Sequence, residues 1–180
     1  MKGIVFTEFL EMLEKKFGYS FVDQIINEAN LPNQGAYTSV GTYPHQEMIS
    51  LIMSVHFHSQ IPVDELLRTF GSHLFGVFKK SYAVFFDKFT SVFDMLENIE
   101  NHIHVEVKKL YPDAELPRFE TERTNNNCLR MTYYSDRKMS ALAEGLIAST
   151  LEHFNQKGSI NIEKVENEGK IVTFIIKTEA

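Results

Sequence analysis

Along the first two thirds of the chain, apolar residues recur at steps of three and four, the spacing that gathers side chains on one face of an α-helix. Phe6, Phe9, Leu10, Leu13 and Phe17 form the first stripe, with Thr7 as its candidate N-cap and Gly18 as its stop. Phe21, Val22, Ile25, Ile26 and Ala29 form the second, ended by Leu31-Pro32. A polar, Gly-containing loop from Asn33 to Pro44 precedes a third helix carrying Met48, Ile49, Ile52, Met53, Val55 and Phe57, which closes near Ile61-Pro62. Asp64-Glu65-Leu66-Leu67 opens a fourth, with Phe70, Leu74 and Phe75 on its face, and Phe85, Phe86, Phe89, Val92, Phe93 and Leu96 keep the same period. Leu96, Ile99, Ile103, Val107 and Leu110 are the most regular stripe in the chain, stopped by Tyr111-Pro112.

Beyond that point the pattern changes. Leu116-Pro117-Arg118-Phe119 is extended by proline geometry. Cys128 to Tyr133 alternates as a strand after the Asn125-Asn126-Asn127 turn. Met139, Leu142, Ala143, Leu146, Ile147, Thr150 and Leu151 return to helical spacing, closed by Gly158. The tail reads as a hairpin: Ile160 to Val165, a turn over 166–169, then Lys170 to Lys177. The fold class is therefore α+β, with helices first and then an antiparallel sheet with one helix inserted.

Composition narrows the function. The 180 residues include 15 Phe and 7 Tyr but no Trp, so the interior is bulky and oily, or shaped around something. Cys128 stands alone, which excludes an internal disulfide, a Cys-x-x-Cys redox pair and a cysteine-based zinc site, and makes a reducing cytoplasm the simplest compartment. A net charge of −6 argues against gripping nucleic acid through its phosphates. No apolar run is long enough for a bilayer, so no membrane association is expected.

The chemistry-bearing residues are few. His56/His58 and His102/His104 have His-x-His spacing, but on a helix two residues are about 200° apart and cannot clamp one ion. Phosphate-binding loops and the G-x-S-x-G nucleophile elbow are absent from the sequence, so it is read as a non-enzyme. Tyr133-Tyr134-Ser135-Asp136-Arg137 is more informative. Alternation at a strand end would put Tyr133, Ser135 and Arg137 on one side, a set of donors suited to a carboxylate or phosphate. The plainer alternative is a polar strand end whose Arg pairs with a nearby Glu.

Tyr133-x-Ser135-x-Arg137, together with Ile103-His104-Val105-Glu106-Val107-Lys108-Lys109-Leu110-Tyr111 and Leu116-Pro117, resembles the haem-nitric oxide/oxygen binding (H-NOX) family. Met1-Lys2-Gly3-Ile4-Val5, Gly71 and Ala143-Glu144-Gly145-Leu146 fit in order, so the resemblance covers essentially the whole chain and matches a stand-alone bacterial member. It implies one haem-binding domain, with a helical subdomain over roughly 1–62, a haem-ligating subdomain over 63–180, and the haem buried between them. Periodicity leaves His102 and His104 equivalent; the I-H-x-E-V context of the family selects His104 as the axial ligand of a b-type haem. The resemblance further assigns Tyr133, Ser135 and Arg137 to the haem propionates, and Pro117 to the residue that presses on the porphyrin.

The distal pocket implied by the family pattern comprises Val5, Phe9, Leu74, Leu142 and Leu146, and oxygen-binding members carry a tyrosine where Leu142 stands here. An all-apolar pocket implies nitric oxide selectivity, carbon monoxide binding and poor oxygen affinity. Members of this kind act on a separate histidine kinase or cyclic-di-GMP enzyme. The alternatives are an oxygen or redox sensor using the same haem and, from another class, a cofactor-free interaction module that kept the fold.

Overall fold

The computed structural model describes residues 1–179. Its first helix, α1 (Gly3–Phe17), is started by backbone, with no side-chain cap. The Gly3 and Ile4 N–H groups donate to the carbonyls of Gly41 and Ser39 at 2.7 and 2.9 Å, so the loop after the second helix satisfies the donors a capping residue normally takes. That approach requires glycine, since a Cβ on Gly3 would lie 1.8 Å from Thr38 O. Thr7, the expected cap, sits a turn inside the helix and donates its hydroxyl to Ile4 O. The Gly18 stop is as expected, with φ at +85°.

Helices α2 (Tyr19–Glu28), α3 (His45–Ser59) and α4 (Val63–Ser81) follow. Phe6, Phe9, Leu13, Ile25, Leu51, Val55 and Phe70 are buried among them as one apolar core. The chain then runs through α5 (Ala83–Phe86) and α6 (Val92–Glu97), the latter capped by Ser91 Oγ accepting the Asp94 N–H. A π-helical turn over Ile99–Ile103 leads into α7 (His104–Leu110). The regular stripe from Leu96 to Leu110 is thus not one α-helix. The Ile103 N–H reaches back five residues to Asn98 O, one more than α geometry, and shifts the phase of everything after it. Leu96 is buried, whereas Leu110 is half exposed.

Strands β1 (Arg118–Asn125), β2 (Cys128–Tyr134), β3 (Gly158–Glu166) and β4 (Ile171–Thr178) form an antiparallel sheet in the order β1-β2-β4-β3. Leu129, Met131 and Tyr133 alternate inward on β2 and join Val172, Phe174 and Ile176 of β4 in a second core. Helix α8 (Ser140–His153) lies between that core and α4. It ends four residues earlier than Gly158 implied, through Asn155 in the left-handed region; Gly158 is the first residue of β3. Where α4 crosses α8, Gly71 and Gly145 let the backbones touch: added Cβ atoms would lie 2.4 Å from Leu142 O and 2.1 Å from Arg68 O. The α+β class and the antiparallel hairpin agree with the sequence reading.

Candidate functional site

A cavity of about 280 Å³ lies among these elements, with an almost wholly apolar lining. Helix α1 supplies Val5; α4 supplies Leu74, Phe75 and Phe78; α8 supplies Leu142 and Leu146. The π-turn brings Ile103, the start of α7 His104 and the loop after α7 Pro117, while the end of β2 and the segment leaving it bring Tyr133, Ser135 and Arg137. All the expected site residues except Phe9 therefore line one cavity. Phe9 is fully buried behind it, edge-on to Phe70 at 4.9 Å, as part of the helical core. Phe78 and Tyr82 were missed, although with Leu74 they form an i, i+4, i+8 stripe.

The donor cluster converges by a turn rather than by strand alternation. β2 ends at Tyr134, and Ser135 Oγ accepts the Arg137 N–H at 3.2 Å, folding Arg137 back over the strand end. Tyr133 is buried, and its hydroxyl oxygen accepts the Met139 N–H at 3.1 Å. Both hydroxyls accept from backbone, so their own protons remain available to an anion. Arg137 contacts Glu115 at 3.2 Å, but Glu115 is 84% exposed, and so loose a partner yields readily to a better one. Positive charge is crowded here. The N-terminal amine and the His45 imidazole are both held below their ordinary pKa values, first by burial and then by Arg137. Tyr134 points away, its hydroxyl donating to Glu120 on the outer face of the sheet.

His104 is largely buried, and burial lowers its pKa, while the carboxylate of Glu100 acts in the opposite sense. Its Nδ1 has no aligned hydrogen bond, although Glu100 Oε1 lies 2.9 Å away. His102 is exposed, with its ring near Phe89. No cluster of three His, Cys, Asp or Glu suited to a metal ion occurs among the described residues. Of the other polar groups in the lining, Thr150 donates to Leu146 O, and the Tyr82 and Tyr111 hydroxyls meet at 3.3 Å, one donating and the other keeping its own proton. A second hollow, on the outer face of the sheet, is lined by Glu120, Glu122, Arg130 and Lys164, and its polar lining does not suit an apolar group.

The model of the haem-NO-binding family matches residues 2–162. The chain belongs to the haem-NO-binding family. This H-NOX family consists of haem-based gas sensors. The fold superposes on a Fe(II) unliganded H-NOX protein from K. algicida with a TM-score of 0.96, at 44% identity over 100% of this chain and 97% of that one. An H-NOX protein from Shewanella woodyi in the Fe(II)CO state is 37% identical over 99% and 95% of the two chains, with a TM-score of 0.84. One from S. oneidensis in the Fe(II)NO state is 27% identical over 100% of both, with a TM-score of 0.92. No curated protein matches the chain.

The residues of this member of the haem-NO-binding family fit the group its family carries. An apolar slot suits a porphyrin face, and a buried imidazole suits iron. Tyr133, Ser135 and Arg137 suit carboxylates, which need such donors when drawn out of water.

Proposed function

We propose that the chain is a cytoplasmic nitric oxide sensor built on haem b, with His104 as axial ligand and Tyr133, Ser135 and Arg137 holding the propionates. Ferrous haem supplies the gas-binding iron, where bound oxygen carries negative charge that a hydrogen-bond donor stabilises, and nitric oxide and carbon monoxide gain much less from one. The observation carrying the reading is that Val5, Leu74, Leu142 and Leu146 bring no donor into the cavity. Pro117, rigid and at the cavity wall, would press on the porphyrin. His104 would be the residue whose hold on the iron loosens with nitric oxide, and α7 with the Pro117 loop would then be free to shift relative to α1–α4. Two contacts transmit that shift, because Lys2 Nζ and the Thr42 hydroxyl both donate to Asp113 in this loop, at 3.1 and 2.7 Å. The output is a separate histidine kinase or cyclic-di-GMP enzyme whose affinity differs between the two shapes.

The test is an absorption spectrum of the ferrous protein under argon, nitric oxide, carbon monoxide and air. The expected result is a Soret band that shifts with nitric oxide and carbon monoxide and shows no stable oxygen complex in air. Persistent ferrous-oxygen bands would instead make it an oxygen sensor, and a colourless protein after haem supplementation would make it an interaction module.

A further inference from the structure

Glu100 sits where two structural demands meet. Four residues before His104, it is the second residue of the π-turn, and its Oε1 lies 2.9 Å from His104 Nδ1. The same oxygen accepts the Phe119 N–H at 3.0 Å, which tethers the carboxylate to the start of β1. Among the described residues no Lys or Arg pairs with Glu100, so the negative charge has no cationic partner to explain its position. Nor is His104 Nδ1 served by anything else, being buried without an aligned partner. A ligating imidazole binds through one nitrogen and presents the other as a donor whose acceptor fixes the ring and sets its basicity. We propose that Glu100 is a positioning residue for His104, its carboxylate holding the imidazole nitrogen that does not meet the iron.

This rests on the reading of His104 as the iron ligand. A carboxylate acceptor pushes electron density into the ring and strengthens its bond to iron more than a neutral acceptor does. Glu100 thereby sets how readily His104 lets go. It also joins the ligand to the sheet: the Phe119 ring lies 6.0 Å from His104 and 5.7 Å from Tyr133, so the tether runs from the axial ligand towards the donor cluster.

The experiment compares wild type, Glu100→Gln and Glu100→Ala by resonance Raman spectroscopy of the ferrous unliganded protein, with haem affinity measured alongside. Glutamine keeps an oxygen for the Phe119 N–H but removes the charge; alanine removes both. The iron–histidine stretch is expected to fall in the order wild type, Glu100→Gln, Glu100→Ala. Haem affinity should drop roughly 10–100-fold in Glu100→Ala. The five-coordinate share of the nitric oxide complex should rise in the same order. A stretch unchanged in Glu100→Gln, with far-ultraviolet circular dichroism intact, overturns the inference, because a tether serving Phe119 alone alters stability and not this line. His104→Gly separates the two readings: an iron spectrum unaltered by that change and by added imidazole overturns the ligand assignment itself.

Discussion

Replacing Gly145 by alanine adds a single methyl at the point where α8 meets α4. Its Cβ would lie 2.1 Å from Arg68 O, and 2.9 and 3.0 Å from the carbonyl carbon and Cα of the same residue, against ordinary contact at 3.4–4 Å. All three neighbours are backbone, so no side chain can swing aside and the helices must part by more than an ångström. Overpacking of this kind costs about 1–3 kcal/mol. Alanine also favours the helix over glycine by about 1 kcal/mol, which offsets part of the cost. Gly76→Ala, in the partner helix α4, isolates the packing contribution, because nothing lies within 4 Å of its added Cβ and the helix gain is the same in kind. Gly76→Ala should therefore stabilise the fold by about 1 kcal/mol. Gly145→Ala should fall below Gly76→Ala by about 1–3 kcal/mol in equilibrium urea unfolding at constant m-value. For a domain of this size the gap corresponds to roughly 2–12 °C in melting temperature. The parted helices carry Leu74, Leu142 and Leu146, so the Soret band of the haem-loaded variant should shift as well. Equal stability of the two variants would refute the claim that backbone contact sets the α4–α8 spacing.

Arg137→Ala should weaken haem retention by about 1.5–3 kcal/mol, a charged hydrogen bond's worth, or roughly 10–100-fold in a haem-transfer assay. Unchanged retention would place the propionates elsewhere. His153 gives a pH effect: its Nδ1 is buried without a partner, its ring packs against Phe75, Phe86 and Phe154, and burial holds its pKa below 6.5. The unfolded chain then takes the proton first, so this contribution to stability is full above about pH 6.5 and is lost as pH falls from there towards the depressed folded value. His153→Phe should flatten the pH dependence of urea unfolding in that window, whereas an unaltered slope would assign it to other groups.

The helices of the first half were legible because apolar periodicity follows burial: Phe6, Leu13, Ile25, Met48 and Val55 are all buried, whereas Ile49, Met53 and Phe57 of the third stripe face solvent and the buried Leu51 was not in it. Starts and stops were less legible. Thr7 has a capping side chain, but the α1 donors go to carbonyls about forty residues away, which no local pattern shows. Gly158 looked like a helix stop, yet the left-handed residue is Asn155 and the glycine serves the strand, where a Cβ would meet Lys177 O. Tyr133, Ser135 and Arg137 do line one cavity, but a turn rather than strand alternation brings them there. Phe9 shows the limit of transferring a pocket by position: its helix face is the expected one, but in this chain its ring packs on Phe70, in a layer behind the cavity. Glu100 was within reach, lying one helical turn before the histidine, but spacing alone does not distinguish a partner from a solvated acid.

The π-turn gives the region around His104 an unusual relation to chain length. Five residues from Ile99 to Ile103 are wound with one more than an α-helix would use, so the histidine's bearing depends on a count as well as on residue types. Deleting any one of them would let the segment relax into regular α geometry, with every hydrophobic residue after it still available. Because the turn already holds one residue more than an α-turn, that shorter helix would keep His104 near its present bearing, whereas regular α geometry with all five residues kept would swing it by about 100°. Between relatives, a one-residue gap at this point therefore marks the loss of the π-turn with the direction of the histidine preserved.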